Sequence, residues 1–503
     1  METLQSLYLG FQVALTPVNL LFCLIGVVIG TLVGVLPGIG PVGAMALLLP
    51  ATFGVSLNSS LIMLAGIYYG AMYGGSTTSI LVNIPGEAAS VVTCIDGYQM
   101  ARQGRAGPAL GISAIGSFTG GTLSVIGLML IAKPVANIAL GFGPPEYFAL
   151  MCAGLIILTY LTQGSMVKAL MMALVGLLLG SIGLDMVLGM PRFTFGINEL
   201  TDGVGIIPLI MGLFGVAEVF SNIEMVIKRE VFSTEIKHVW PSLKDYAQSK
   251  WAIIRGSVLG FLLGVLPGGG AILASFLSYG IEKKLSKEPE RFGKGAIEGV
   301  AGPETANNAA AGASMIPLLS LGIPPNVVMA MLFSAFIIHG VQPGPMLIKE
   351  SPDLFWGLIA SMYVGNALLL LLNLPLVGLW VQLLKIPYRI LMPLILLFCL
   401  IGAFSVTNST FDVSLMIFFG GVGYVMRKFR YEAAPLVLAF VMGPLLENNL
   451  RQSLLISGGS FAIFVTRPIS GVTLLIACLL LLSNLIPFMK RKREKVDEIL
   501  SEE

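Results

Sequence analysis

Glu304 is the only charged residue in AGPETANNAAAGASMIPLLSLGIPPN (301–326), where it stands among Thr305, Asn307, Asn308 and Ser314. An acid in an otherwise neutral segment can coordinate a cation, carry a proton or cap a helix, and Pro303–Glu304 fits the first turn of one. Earlier in the chain, YGAMYGGSTTSILVNIPGE (69–87) gathers Ser76, Thr77, Thr78, Ser79 and Asn83 among small and apolar residues. Hydroxyls and amides ligate a carboxylate or Na⁺ without placing a permanent charge in a membrane, where charge is costly. The bland alternative is helix–helix glue, because Ser, Thr and Asn hydrogen-bond across membrane helices by default. The paired clusters favour a site, with Asn308, Glu304 and Ser314 as the set for a cation.

The elements that would position these clusters are interrupted helices. GVLPGIGP (34–41) breaks an apolar stretch, and GVLPGGGA (264–271) breaks another 230 residues further on. Interior proline and glycine cost a helix about 3 and 1 kcal/mol respectively, so a break kept twice points to a use. Gly38, Gly40, Gly268 and Gly269 let a ligand approach the backbone. A half-helix starting near Pro41 or Ala271 aims N–H groups and its positive dipole end at an anion. The plain alternative is a kink or tight re-entrant turn. GIGPVG (38–43) also fits GxGxxG, but an apolar helix rather than a strand precedes it, and the first acid after it is Glu87; a dinucleotide site is rejected.

Composition fixes the setting. Of 503 residues, 56% are hydrophobic and 11% charged, with mean hydropathy +0.90, whereas soluble domains carry about 25% charge. The chain is therefore expected to be an all-α integral membrane protein of about 10–12 transmembrane helices, with broken or re-entrant helices. The short alternating segments of a β-barrel are absent. METLQSLYLG lacks the basic region of a cleavable signal. Cys23, Cys94, Cys152, Cys399 and Cys478 lie singly, so neither a disulfide framework nor a zinc site is expected. His238 and His339 have no metal-ligand partners in the sequence. HExxH, a Walker A loop and GxSxG are missing, which argues against protease, ATPase and hydrolase. Nucleic acid is not an expected partner.

The two halves resemble one another beyond the breaks. SILVNIPG (79–86) parallels PLLSLGIPP (317–325), with Ile84-Pro85 opposite Ile323-Pro324 at an offset of 239. The charges invert between matched loops: 50–58 is uncharged where 281–294 is basic, and Arg102/Arg105 oppose a segment, 339–353, with one lysine against two acids. That inversion predicts an inverted-topology repeat, a plan that builds sites from broken helices. The expected organisation is an N-terminal segment (1–17), a first repeat (18–225), a polar linker (226–250), a second repeat (251–450), a final segment (451–489) and a basic tail (490–503). No lysine or arginine precedes Arg102, and later basic clusters culminate in KRKREK (490–495); the positive-inside rule places the N-terminus outside and the C-terminus inside. ENNLRQ (447–452) reads as a solvated loop.

The LPGIGP and LPGGGA breaks, GAMYGGSTTSILVNIPG and GPETANNAAAG…PLLSLGIPP together resemble the large membrane subunit of tripartite tricarboxylate transporters, over almost the whole chain. The resemblance implies a bacterial inner-membrane symporter for citrate-like or other small carboxylates, driven by Na⁺ and working by alternating access, with no other cofactor. It also implies two protein partners, a small membrane subunit and a periplasmic binding protein that delivers substrate. Other readings weighed are the large subunit of a TRAP-type dicarboxylate transporter, a channel, which would conduct without a Na⁺ gradient, and a membrane-embedded enzyme, whose catalytic constellation is not found. The residues placed at the substrate are Gly38, Gly40, Ser76, Thr77, Thr78, Asn83, Gly268, Gly269, Thr305, Asn307 and Asn308.

Overall fold

The computed structural model describes residues 2–36, 40–161, 165–185, 188–224, 239–268, 270–383 and 388–483. Gly38 and Gly269, His238, most of the linker (through 238) and the tail from 484 lie outside the described residues. Among those described, the chain is helical apart from turns and one two-residue antiparallel pair, β1 (Gly183–Leu184) with β2 (Pro191–Arg192).

The first part of the chain runs α1 (Glu2–Ala14), α2 (Pro17–Val35), α3 (Gly40–Leu48), α4 (Leu57–Val82), α5 (Val91–Arg102) and α6 (Ala106–Ala139). Then come α7 (Pro144–Leu161), α8 (Met166–Gly180), the β pair, α9 (Ile206–Ile210), a π-helical stretch (Met211–Val216) and α10 (Ala217–Glu224). The second part opens on a capping box, Ser242 with Asp245, which satisfies the first N–H groups of α11 (Leu243–Gly264). It continues through α12 (Gly270–Leu285), α13 (Glu298–Ala313), α14 (Met315–Leu321), α15 (Val327–Ile338), α16 (Leu347–Glu350) and α17 (Pro352–Asn373). The final helices are α18 (Val377–Leu383), α19 (Tyr388–Thr407), α20 (Thr410–Lys428), α21 (Ala433–Ile456), α22 (Ile463–Thr466) and α23 (Pro468–Ser483). Five of these, α2, α6, α7, α17 and α21, are long and apolar enough to cross a membrane, and six further apolar stretches are shorter. This is an all-α membrane protein.

Glycine stripes set how the helices pack. Gly26, Gly30 and Gly34 face α4, where an added Cβ would stand 2.3, 2.4 and 2.4 Å from the carbonyl oxygens of Met63, Ile67 and Ala71. On α11, Gly256, Gly260 and Gly264 meet the carbonyls of Gly302, Ala306 and Ala310 at 2.6, 2.1 and 2.3 Å. The first set maps onto the second by 230 residues and its partners by 239, the two offsets found in the sequence. In lipid there is no hydrophobic drive between helices, so close backbone approach through small residues supplies the association. The duplication is thus one of packing as well as of motif.

The equivalent helices α4 and α13 run antiparallel. Ser76 reaches Glu304, and one turn further along α4 Ile80 meets Val300, one turn back on α13, over Gly97. Antiparallel equivalents are what an inverted repeat requires. The turns after these helices also match: Asn83 and Gly322, 239 apart, both adopt left-handed conformations at φ 57° and 71°. Glu87 and Asn326, again 239 apart, are both extended N-caps, accepting from the N–H of Ala89 (2.8 Å) and Met329 (2.9 Å).

In the second half the break is followed by a helix that returns along the one before it. Arg255 on α11 grips Glu282 on α12 at 2.8 and 2.5 Å, and the Gly268 N–H at the tip donates to Pro325 O at 2.8 Å. In the first half the end of α2 lies against the matching turn, with Gly34 O packed on Gly86.

Charge separates to the two ends of the molecule. Arg105 pairs with Asp245 at 2.5 Å, Gln103 donates to Lys294 O at 2.8 Å, and Asp96 accepts the N–H groups of Gly293, Gly295 and Ala296. The basic segment 283–294 and the Arg102/Arg105 turn therefore share one end. ENNLRQ is not a solvated loop: it lies inside α21, where Glu447 takes Arg192 at 2.7 Å and Arg451 takes the buried Asp185 at 3.0 and 2.7 Å. These partners, Arg192 in β2 and Asp185 just after β1, lie 255 and 266 residues away in sequence, so the segment's own polarity could not reveal that it is clamped.

Candidate functional site

Glu304 sits in the middle of α13, fully buried, and the helix continues through Pro303 from Glu298. The first-turn reading is thereby corrected: the carboxylate is not capping its own helix but reaches across to the first half. It accepts a hydrogen bond from Ser76 Oγ of α4 at 2.5 Å, a short one from Thr93 Oγ1 of α5, and a long one from Asn307 Nδ2 at 3.5 Å. Asn308 Nδ2 donates to Asn307 Oδ1 at 2.6 Å and to Ser117 Oγ of α6 at 2.8 Å. One acid of the second half is thus held by hydroxyls from two helices of the first, α4 and α5. All these donors are neutral, so a charge on the carboxylate would be hydrogen-bonded but unmatched, an expensive state in a buried site.

A small cavity opens beside this cluster, lined by Tyr73, Ser76, Thr77, Ser113 and Asn373 with about 10 Å³ for a water's centre, roughly what one water needs. Tyr73 OH donates to Asn366 Oδ1 of α17 at 2.6 Å, and Asn366 Nδ2 donates to Thr122 Oγ1 of α6 at 2.9 Å. Each half's long helix therefore leans on the other half's core.

The remaining expected residues fall in distinct places. Thr78 Oγ1 donates to Val35 O at 3.0 Å, satisfying a carbonyl at the broken end of α2. Thr305 bonds its own helix at Ala301 O (2.6 Å) and packs on Gly116 and Gly120 of α6. Ser314 donates to Ala311 O at 2.7 Å, at the joint between α13 and α14. Asn83 is exposed and closes α4 in its left-handed conformation, a role that asparagine fills at helix C-termini. Gly40 opens α3 at φ 64° with nothing within 4 Å of an added Cβ, whereas the Gly268 N–H is already given to Pro325.

Sequence reasoning missed Glu87 and Thr93. Glu87 follows the left-handed turn, and its Cγ lies 2.8 Å from where a Cβ on Gly75 would be, beside the Ser76 position. One carboxylate oxygen caps Ala89, while the other, Oε1, is buried with no hydrogen-bond partner. Its repeat equivalent is Asn326, so the 239-residue offset was the signal that this acid stands at a matched and special place.

A family model, the tripartite tricarboxylate transporter TctA family, matches residues 20–438. The chain is 54% identical over 496 residues to an Agrobacterium vitis protein described as "Uncharacterized 52.8 kDa protein in TAR-I ttuC' 3'region", covering 99% of both chains. A second Agrobacterium vitis protein, "Uncharacterized protein in TAR-II ttuC' 3'region", is 55% identical over 237 residues, 47% of this chain and 98% of its own. No solved structure matches. With the motifs, the broken helices and a match running over most of its length, the chain belongs to the tripartite tricarboxylate transporter TctA family.

Proposed function

We propose that this chain is the translocating subunit for uptake of a small organic carboxylate, citrate-like or dicarboxylate, coupled to Na⁺ by alternating access. Membership of a transporter family gives the class of activity; the carboxylate pair is what supports the coupling. Glu304, held by neutral donors, and Glu87, with a buried oxygen lacking a partner, flank consecutive positions of α4. Hard oxygen ligands of this kind suit a hard cation, and a cation entering between them neutralises charge that the protein leaves unmatched. The broken helices α2 and α11 pack on α4 and α13, so an anion received at their breaks meets the cation nearby. The basic end carrying Arg102, Arg105 and segment 283–294 faces the cytoplasm of a bacterial inner membrane under the positive-inside rule. Substrate arrives from a periplasmic binding protein, and a small membrane subunit completes the complex.

The test is uptake by proteoliposomes, with carboxylate and Na⁺ binding titrated both ways. Linkage requires Na⁺ to raise carboxylate affinity by the factor that carboxylate raises Na⁺ affinity. Glu304→Gln keeps the hydrogen-bonding shape without the charge and is expected to abolish Na⁺-driven uptake in protein that still purifies normally. Wild-type uptake in that variant, or flux indifferent to any Na⁺ gradient, refutes the coupling.

A further inference from the structure

The water-sized cavity beside Ser76 is walled by groups that have given their hydrogens elsewhere. Asn373, the last residue of α17, lines it and is only 5% exposed. Its Nδ2 donates to Leu369 O at 2.9 Å, which turns the amide so that Oδ1 is left buried with no hydrogen-bond partner. Tyr73 OH is committed to Asn366 Oδ1, whose own Nδ2 already donates to Phe118 O and Thr122 Oγ1. Ser76 has one hydroxyl hydrogen, and Glu304 Oε2 at 2.5 Å takes it in preference to Met72 O at 3.3 Å. An amide oxygen and two hydroxyl oxygens therefore have only lone pairs left to offer the cavity. Thr77 and Ser113 bring two more hydroxyls to the same space.

We propose that this cavity is a second cation site, for a dehydrated monovalent ion of the size of Na⁺. A water brings two hydrogens to three waiting acceptors, whereas a cation satisfies all three at once. The donor set is all oxygen, which suits a hard cation. Asn373 also stands at the C-terminal end of α17, where the backbone carbonyls form the negative end of the helix dipole. An ion there polarises the Ser76 O–H toward Glu304 and strengthens that bond. Charge counting agrees. Among the described residues, the hydrogen bonds of Glu304 and Glu87 come only from neutral groups. When both acids are ionised, one cation between them leaves one negative charge, and a second in the cavity removes it. This reading rests on the Na⁺ coupling proposed above and deepens it by setting the ion count at two.

The experiment counts radioactive Na⁺ bound by the purified full-length chain, by scintillation proximity, with Na⁺ as the only ligand added. Wild type is expected to bind two ions per chain. Asn373→Leu keeps the branched shape without the oxygen; it is expected to elute as a normal monodisperse peak and to bind one. Asn373→Asp restores the oxygen and adds a charge, so it is expected to bind two, the second about tenfold more tightly than in wild type, since ligand charge tunes cation affinity. A variant that had lost its ion through general damage to the helix end would not be rescued in this way. One ion in wild type, lost in Glu304→Gln but kept in Asn373→Leu, overturns this proposal and leaves the coupling standing, with a water in the cavity. No ion bound by wild type overturns both. Two ions still bound by Asn373→Leu, or one by Asn373→Asp, also overturn the second site.

Discussion

Gly260→Ala tests whether the duplicated stripe is what joins each broken helix to its partner. The added Cβ would stand 2.1 Å from Ala306 O, against 3.4 Å for ordinary contact, so α11 and α13 must part by about 1.3 Å. The obstacle is a backbone carbonyl, which has no rotamer to escape into, so the cost sits at the upper end of the about 1–3 kcal/mol for overpacking. Alanine returns about 1 kcal/mol through its better helix propensity, leaving a net loss of about 2 kcal/mol. Gly30→Ala meets Ile67 O at 2.4 Å and is expected to lose a similar amount. Gly280→Ala on α12 has nothing within 4 Å and is expected only to gain. Thermal unfolding in one detergent, followed by tryptophan fluorescence, ranks the three against wild type. A Gly260→Ala protein as stable as wild type, or opposite signs for Gly30→Ala and Gly260→Ala, refutes the reasoning.

Asn83→Gly is expected to be tolerated, since glycine adopts φ 57° without strain, whereas Asn83→Val costs about 1–2 kcal/mol in the left-handed region. Gly322→Asn fails despite the matched conformation, because its Cβ would lie 2.5 Å from Pro343 O; the same unfolding assay reads all three. Orientation is tested by thiol labelling in a cysteine-free background. Phe195→Cys, at an 83% exposed position beyond β2, is expected to react with an impermeant reagent added outside, and Lys287→Cys only after permeabilisation. Labelling of both from the same side refutes the inverted arrangement.

The fold class was legible because its signal is collective: low charge, long apolar stretches and LPG breaks kept at one offset. The breaks at Pro37 and Pro267 could be read because proline and glycine act on their own backbone. Ser76 with Glu304 was legible as chemistry, since polar residues in an apolar segment stand out. Thr93 was not, because it lies in the less apolar α5, where one more hydroxyl carries no contrast. Glu87 hid behind IPG as an ordinary turn acid. ENNLRQ misled because its ion-pair partners lie in a hairpin distant along the chain, and sequence polarity cannot distinguish water from an arginine as the satisfying partner. The glycine stripes needed both offsets, 230 and 239, to be applied together; taken singly, each glycine is only a small residue in a membrane helix.

The repeat preserves packing but not chemistry. At the 239-residue offset Glu304 corresponds to Ala65, Asn307 to Tyr68 and Ser76 to Met315. In an inverted repeat, letting the halves exchange conformations turns an outward-facing molecule into an inward-facing one. Identical halves would make those two states degenerate, each populated equally when empty. Here the carboxylate and its hydroxyl donors belong to one interface that has no counterpart, so the degeneracy is lifted. On the proposed alternating-access reading, the empty carrier would have a resting side fixed by its own sequence, and the energy of bound ion and substrate would be read against that built-in bias.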